Sequence, residues 1–174
     1  MVRINPLAFA ANTIRNFPIH LSIFRLRLRN RYSRASIIGG DGPTVSLTTH
    51  GHRLKDVFLA IESIARGTLK PSRLMLHLDV EEHVINPLKT LQRLKLRGLE
   101  IHLSENLGPH TKIQPWIVNA PSFSVPHVVA DDDILYPRWW LERLSECFTS
   151  DPVSIHAYRA HRMVAADDGM SLTA

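Results

Sequence analysis

The sequence predicts an α/β fold, an open and mostly parallel β-sheet with helices on both faces. Three observations predict it. Short β-branched or apolar runs alternate with stretches whose apolar residues recur at helical spacing. Glycine and proline mark the boundaries between them. Acidic residues close two of the apolar runs, at the strand ends where open parallel sheets bind ligands. The 174 residues suit one domain. A content of 44% hydrophobic and 21% charged residues excludes a collagen-like or low-complexity chain. At this size a core can be buried without staples. The single cysteine, Cys147, excludes an intrachain disulfide and a cysteine-clustered zinc site.

Residues 1–40 read as a basic N-terminal arm and residues 41–174 as the body. The arm carries seven arginines (Arg3, Arg15, Arg25, Arg27, Arg29, Arg31, Arg34) and no acid. Its charge is +7 against +5 for the whole chain, which leaves −2 for the body. Nothing in the body asks for nucleic acid. Pro6 and Pro18 interrupt the arm, and LAFAAN between Arg3 and Arg15 is too short to span a membrane. After Pro18, Leu21, Phe24, Leu28 and Tyr32 form one apolar stripe at helical spacing, flanked by arginines. A strand is the alternative, with Phe24, Leu26 and Leu28 alternating with arginines. The helix is the favoured reading. A basic amphipathic helix suits an anionic membrane surface. The same stripe could instead pack on the body, with the arginines solvated. IIGGDGP at 37–43 is the glycine-rich boundary of the body.

The body then alternates. Thr44–Thr49 is a buried strand after a turn signal. His52–Arg66 places Leu54, Val57, Phe58 and Ile61 on one helical face, and Gly67 ends it. Arg73–Asp79 is the second strand and ends on an acid. Val84–Arg97 is the second helix, stopped by Gly98. Leu99–Leu103 is the third strand. Thr111–Asn119 is a short helix disturbed by Pro115. His127–Ala130 is the fourth strand and runs into Asp131, Asp132 and Asp133. Pro137 suits the first turn of a helix over Pro137–Phe148. Val153–Tyr158 is a fifth strand. Asp167-Asp168-Gly169 reads as a hairpin turn. On the helix over Pro137–Phe148, Cys147 reads as a small buried hydrophobe. Trp139 and Trp140 read as core, or one of them as the edge of a sugar site.

The sharpest feature is ADDDILYP at 130–137. Three adjacent carboxylates repel one another, and stability alone does not favour them at the end of an apolar strand. A hard divalent cation, Mn²⁺ or Mg²⁺, resolves the repulsion because its ligands are oxygens. If the chain stays extended, Asp131 and Asp133 lie on one side and Asp132 points away. One metal could then bridge the two acids and a substrate diphosphate, and stabilise the departing nucleotide as a Lewis acid. The competing reading is a solvated acidic turn beside the positive N-terminus of the following helix.

Four segments, VSLTTHGHR (45–53), LHLD (76–79), NLGPHTK (106–112) and VVADDDILYP (128–137), stand in a recognisable order and spacing. Together they resemble a bacterial glycosyltransferase of the GT-A type, close to family 2 and its polysaccharide-synthesis enzymes, over roughly residues 44–165. The resemblance implies a Rossmann-like GT-A fold, a nucleoside diphosphate sugar as donor, a saccharide or lipid-linked acceptor, and a cation on the D-x-D motif. It implies metal contact by Asp131 and Asp133, and substrate contact by Thr48, Thr49, Arg53, Asp79, Lys112 and Asp132. Asp79 would face the base or ribose, and Lys112 would meet phosphate or sugar as a point charge. The family pattern continues past Ala174 into an acceptor half that supplies the catalytic base. The chain is therefore expected to be the donor-binding half, and no catalytic residue is assigned. Asp167 and Asp168 stand close to the acidic motif for that role, and turn chemistry explains them equally well. His156 and His161 could approach a sugar or be structural.

Two other functions compete. One is a truncated, inactive donor-binding or membrane-associated protein. The other is an aspartate-nucleophile phosphatase, whose motif also reads D-x-D; Ile134 and the lack of any lysine after Lys112 count against it. The lone cysteine is compatible with a cytoplasmic protein, and the arm with one peripheral at the inner membrane face.

Overall fold

A computed structural model of the chain describes residues 6–119, 125–159, 164–165 and 172–173. Helix α1 spans Pro6–Tyr32. It runs through Pro18 rather than starting after it, although a proline there removes one backbone hydrogen bond. Strand β1 (Gly42–Thr48) opens the body. A Cβ on Gly42 would lie 2.0 Å from the Lys70 carbonyl oxygen, so only glycine lets the two backbones approach there. A 3-10 turn (Gly51–Lys55) leads into α2 (Val57–Ala65). Strand β2 (Pro71–Leu78) follows. The single helix expected over Val84–Arg97 is two, α3 (Glu81–Ile85) and α4 (Lys89–Lys95), because Pro87 disfavours helical backbone in the residue before it. Gly98 (φ 110) then turns the chain into β3 (Leu99–Leu103). A 3-10 turn (Gly108–Lys112), α5 (Gln114–Asn119), β4 (His127–Val129) and α6 (Trp140–Ser150) complete the main layers.

The four strands form one parallel sheet in the order β3-β2-β1-β4. Val45 pairs with Leu74, and Leu74 with Leu99. The strands alternate, so one face carries Val45, Leu47, Leu74, Leu76, Leu78 and Leu99, all buried. Helices α2, α4 and α6 join that face in one core through Ile61, Ile64, Leu91, Leu94, Trp140 and Leu141. The opposite face carries Ser46, Thr48, His77, His102 and His127. It is covered by the 3-10 turn Gly108–Lys112, which packs on β1 and β2, and by α5. Trp116 of α5 stacks on His127 with ring centroids 4.2 Å apart. The two faces thus differ sharply. The alternating strand sequences reflect this, since a parallel sheet buried equally on both faces reads as a continuous apolar run.

The lower half of α1 is built into the body. Leu26 and Asn30 are buried, and α1 packs on α2 and α4. The fully buried Glu62 of α2 holds this junction. It accepts both guanidinium nitrogens of Arg97 and a 3.1 Å bond from Arg29 Nε. Asn30 Nδ2 adds a 3.3 Å bond. Burying a carboxylate is costly unless it is paired and hydrogen-bonded in this way.

Three expectations are corrected. Val153–Tyr158 is not a strand. Val153 and Ile155 are 93% and 99% exposed, and Asp151 Oδ1 holds the segment in a turn through the amides of Val153 and Ser154. It pairs with neither edge strand of the main sheet, β3 or β4. Cys147 is exposed rather than buried, because α6 buries only Trp140 and Leu141 and then runs past the core. Trp139 is also exposed, against Arg143 and Tyr158, while Trp140 is core as expected. The expected hairpin is present in its flanks: β5 (Val164–Ala165) pairs antiparallel with β6 (Leu172–Thr173). Asp167, Asp168 and His161 lie outside the described residues.

Candidate functional site

Strand order makes the site. From β1 the chain moves outward to β2 and β3, then returns to place β4 on the other side of β1. The switch point therefore lies between the C-terminal ends of β1 and β4, where the flanking connections diverge and leave a crevice. A cleft of about 340 Å³ opens there, within the range of small-ligand sites. Its lining includes Thr48, Thr49, Arg53, Asp79, Lys112, Asp131 and Asp132. Seven of the eight residues expected at the site from sequence thus converge from four separate parts of the chain.

The acidic motif is arranged differently from the extended expectation. The chain turns at Asp132–Asp133, so Asp132 points inward and not away. Asp132 is buried, and its two oxygens accept from Thr49 Oγ1 at 2.6 Å and Arg53 Nη1 at 3.0 Å. Arg53 Nη1 also stands 3.8 Å from Asp133 Oδ2. Arg53 thereby neutralises two of the three carboxylates. Asp131, half-exposed at the rim, takes Lys112 Nζ at 2.5 Å. The repulsion within the triplet is therefore relieved by two cations of the chain itself. Among the described residues, no three acids, histidines or cysteines come together as a metal cage.

The remaining contacts fix these groups. Thr48 Oγ1 donates to the His77 carbonyl at 3.0 Å. Asp79 Oδ2 accepts from Asn106 Nδ2 at 2.6 Å, and Asn106 Oδ1 accepts from the Gly108 amide at 3.0 Å. The Asp131 amide donates to the Tyr136 hydroxyl at 2.6 Å. Burial, reinforced by the nearby aspartates, pushes the Tyr136 phenol up to about 12, so it stays a neutral anchor for the Asp131 backbone. Below Lys112, the Ser46 hydroxyl donates to the Lys112 carbonyl and meets His127 Nε2 at 2.8 Å. Burial, with some repulsion from His77, pushes His127 down to about 4. His127 is therefore a neutral donor to Ser46 at pH 7, and the pair holds the Lys112 backbone on the polar face of the sheet.

Asn106, Tyr136, Ser46 and His127 were not singled out from sequence. Asn106 opens NLGPHTK, and an asparagine two residues before a glycine is a turn signal. Tyr136 stands five residues after Asp131, just before Pro137. The Ser46–His127 pair has no local signal, since 81 residues separate its members. His156 bonds the Asp151 carbonyl at 2.8 Å and so has a structural partner. In comparisons with known proteins, the chain matches no family model, no curated protein and no solved structure.

Proposed function

We propose that this chain is the donor-binding part of a metal-dependent GT-A type glycosyltransferase. It would transfer a sugar from a nucleoside diphosphate sugar to a hydroxyl of a saccharide or lipid-linked acceptor. One observation carries the reading: carboxylates at two strand ends, Asp79 after β2 and Asp131 and Asp132 after β4, meet two cations in a single cleft at the switch point. That charge pattern suits a ligand with a polar base-and-ribose end and an anionic diphosphate end. Asp79 accepts hydrogen bonds and would take the ribose or base. Lys112 and Arg53 would meet phosphate oxygens. Thr48 and Thr49 line the strand end beneath the nucleotide.

A divalent cation fits this donor set only together with the substrate. Mg²⁺ and Mn²⁺ sites on nucleotides commonly use one or two carboxylates, with phosphates and waters filling the rest. Asp131, with Asp133 beside it, would hold the cation. When bound it would supply charge neutralisation for the departing diphosphate. A diphosphate would give Lys112 a partner in place of Asp131 and so free that carboxylate. Asp132 is the positioning residue, tying β4 to Thr49 and Arg53. A cytoplasmic setting belongs to the same proposal. Among the described residues, no helix is long and apolar enough to cross a membrane.

Calorimetry with UDP and GDP tests the reading, with Mn²⁺ or with excess chelator. Binding should require the metal. Asp131→Ala should weaken it by about tenfold or more, the scale of a lost charge-assisted contact. Asp79→Asn should weaken nucleoside binding while keeping the metal dependence. Equal affinity in chelator, or no binding of either nucleotide, would overturn the proposal. Binding without transfer to any acceptor would assign the chain to donor binding alone.

A further inference from the structure

Helix α1 presents two faces, and the body uses only one. Leu26 and Asn30 are buried against α2 and α4, with Arg29 beside them on Glu62. The stripe of Phe24, Leu28 and Tyr32 lies around the other side, at helical steps of four. These three are 57%, 40% and 69% exposed. Arg27 and Arg31 border the stripe on one side and Arg25 on the other, all exposed. A helix that buries polar Asn30 and exposes Phe24 leaves its second apolar face exposed.

The positive charge does not stop at the helix. Arg66 ends α2, and Arg138 lies beside it through Thr68, which bonds the Arg138 carbonyl by its amide at 2.9 Å. Arg66 feels Arg138, Arg29 and Arg25; burial and this shared repulsion lower its pKa. Its Nε is buried and has no hydrogen-bond partner. Among the described residues, only Arg29 of these arginines has a carboxylate partner, Glu62, which is already shared with Arg97. Arg25 and Arg29 of α1, Arg66 at the end of α2 and Arg138 before α6 therefore gather in one basic cluster, and among the described residues Arg29 alone of the four is paired with an acid.

We propose that the outer face of α1, continued by Arg66 and Arg138, docks the protein on an anionic lipid surface. The chemistry is complementary on both counts. Phe24, Leu28 and Tyr32 would enter the headgroup–acyl boundary, and the flanking guanidiniums would meet lipid phosphates. Phosphates also supply the counter-charge that Arg25, Arg66 and Arg138 lack among the described residues. The topology fits this placement. Helix α2 runs back from the C-terminal end of β1, so Arg66 sits at the opposite end of the sheet from the cleft. The docked protein would keep its cleft open to the aqueous side, whatever that cleft binds.

Co-sedimentation of the full chain with vesicles tests this. One set is pure phosphatidylcholine and the other is equimolar phosphatidylcholine and phosphatidylglycerol. The chain should sediment with the anionic set at low salt, stay free with the neutral set, and be released as salt rises. Arg27→Gln with Arg31→Gln should lower the partition coefficient by about twentyfold or more, on the order of fivefold for each arginine. Phe24→Ser with Leu28→Ser should also weaken binding, with an unchanged melting temperature because both side chains face outward. Arg138→Gln should weaken it without touching α1. No sedimentation at low salt would overturn the proposal. So would a concentration-dependent dimer, seen by ultracentrifugation and lost in the Phe24/Leu28 variant, because that would give the face to a second copy. Nucleotide binding should be the same in all these variants, which separates this test from that of the cleft.

Discussion

Asp132 offers the clearest test of how the acidic motif is built. If the three aspartates were simply a solvated, mutually repelling cluster, removing one would be neutral or stabilising. The structure requires the opposite sign. Asp132→Ala takes away the acceptor of Thr49 Oγ1 (2.6 Å) and of Arg53 Nη1 (3.0 Å). Thr49 is buried, so its hydroxyl loses its carboxylate acceptor, at about 1–3 kcal/mol. Arg53 is 40% exposed and can turn to water or Asp133, so its share is about 1 kcal/mol or less. The sum is about 1–4 kcal/mol, or roughly 3–12 °C in melting temperature for a chain of this length. Asp132→Asn should cost less, about 1–2 kcal/mol. Its carbonyl can accept from Arg53 and its amide can donate to a rotated Thr49 hydroxyl, but the charge is lost. Thermal unfolding followed by circular dichroism reads both variants. An Asp132→Ala melt at or above that of the wild type would refute the buried assignment and restore the solvated-turn reading.

Two further outcomes follow from buried groups elsewhere. Glu62→Gln leaves Arg97 and Arg29 without their shared anion at the α1–α2 junction; breaking a buried pair in this way costs about 3–5 kcal/mol. The melting temperature should fall by roughly 6 °C or more, and an unchanged melt would mean α1 is not keyed through Glu62. His77 and His127 are each pushed from 6.5 down to about 4, chiefly by burial, so the unfolded chain takes up protons that the folded one refuses. Stability should be flat above about pH 6.5 and fall as pH drops from there toward 4, by about 1 kcal/mol per pH unit for each histidine. A melt unchanged between pH 7 and pH 5 would contradict those pKa shifts.

The sequence by itself determined the order of the four main strands, their parallel sheet and the strand ends at which the cleft opens. Its alternating runs TVSLT, RLMLHL and LEIHL carry the strand period and the difference between the two sheet faces. The acids at 79 and 131–133 mark strand ends, because local pattern and chain order are properties of the sequence alone. Pro87 lies inside the stretch read as one helix, and its restriction on Asn86 divides that stretch into α3 and α4. Tertiary structure decided what spacing cannot encode. Which aspartate turns inward depends on Thr49 and Arg53, some 80 residues earlier, arriving at the end of β1. Whether Val153–Tyr158 pairs depends on whether folding brings it alongside a sheet edge, and whether Cys147 is buried depends on where the core ends. In α1 the helical stripe was visible, but its direction was not. Leu26 and Asn30 won the inner face because Glu62 and Arg97, brought together by folding, offer a polar socket there, and that leaves Phe24, Leu28 and Tyr32 outside.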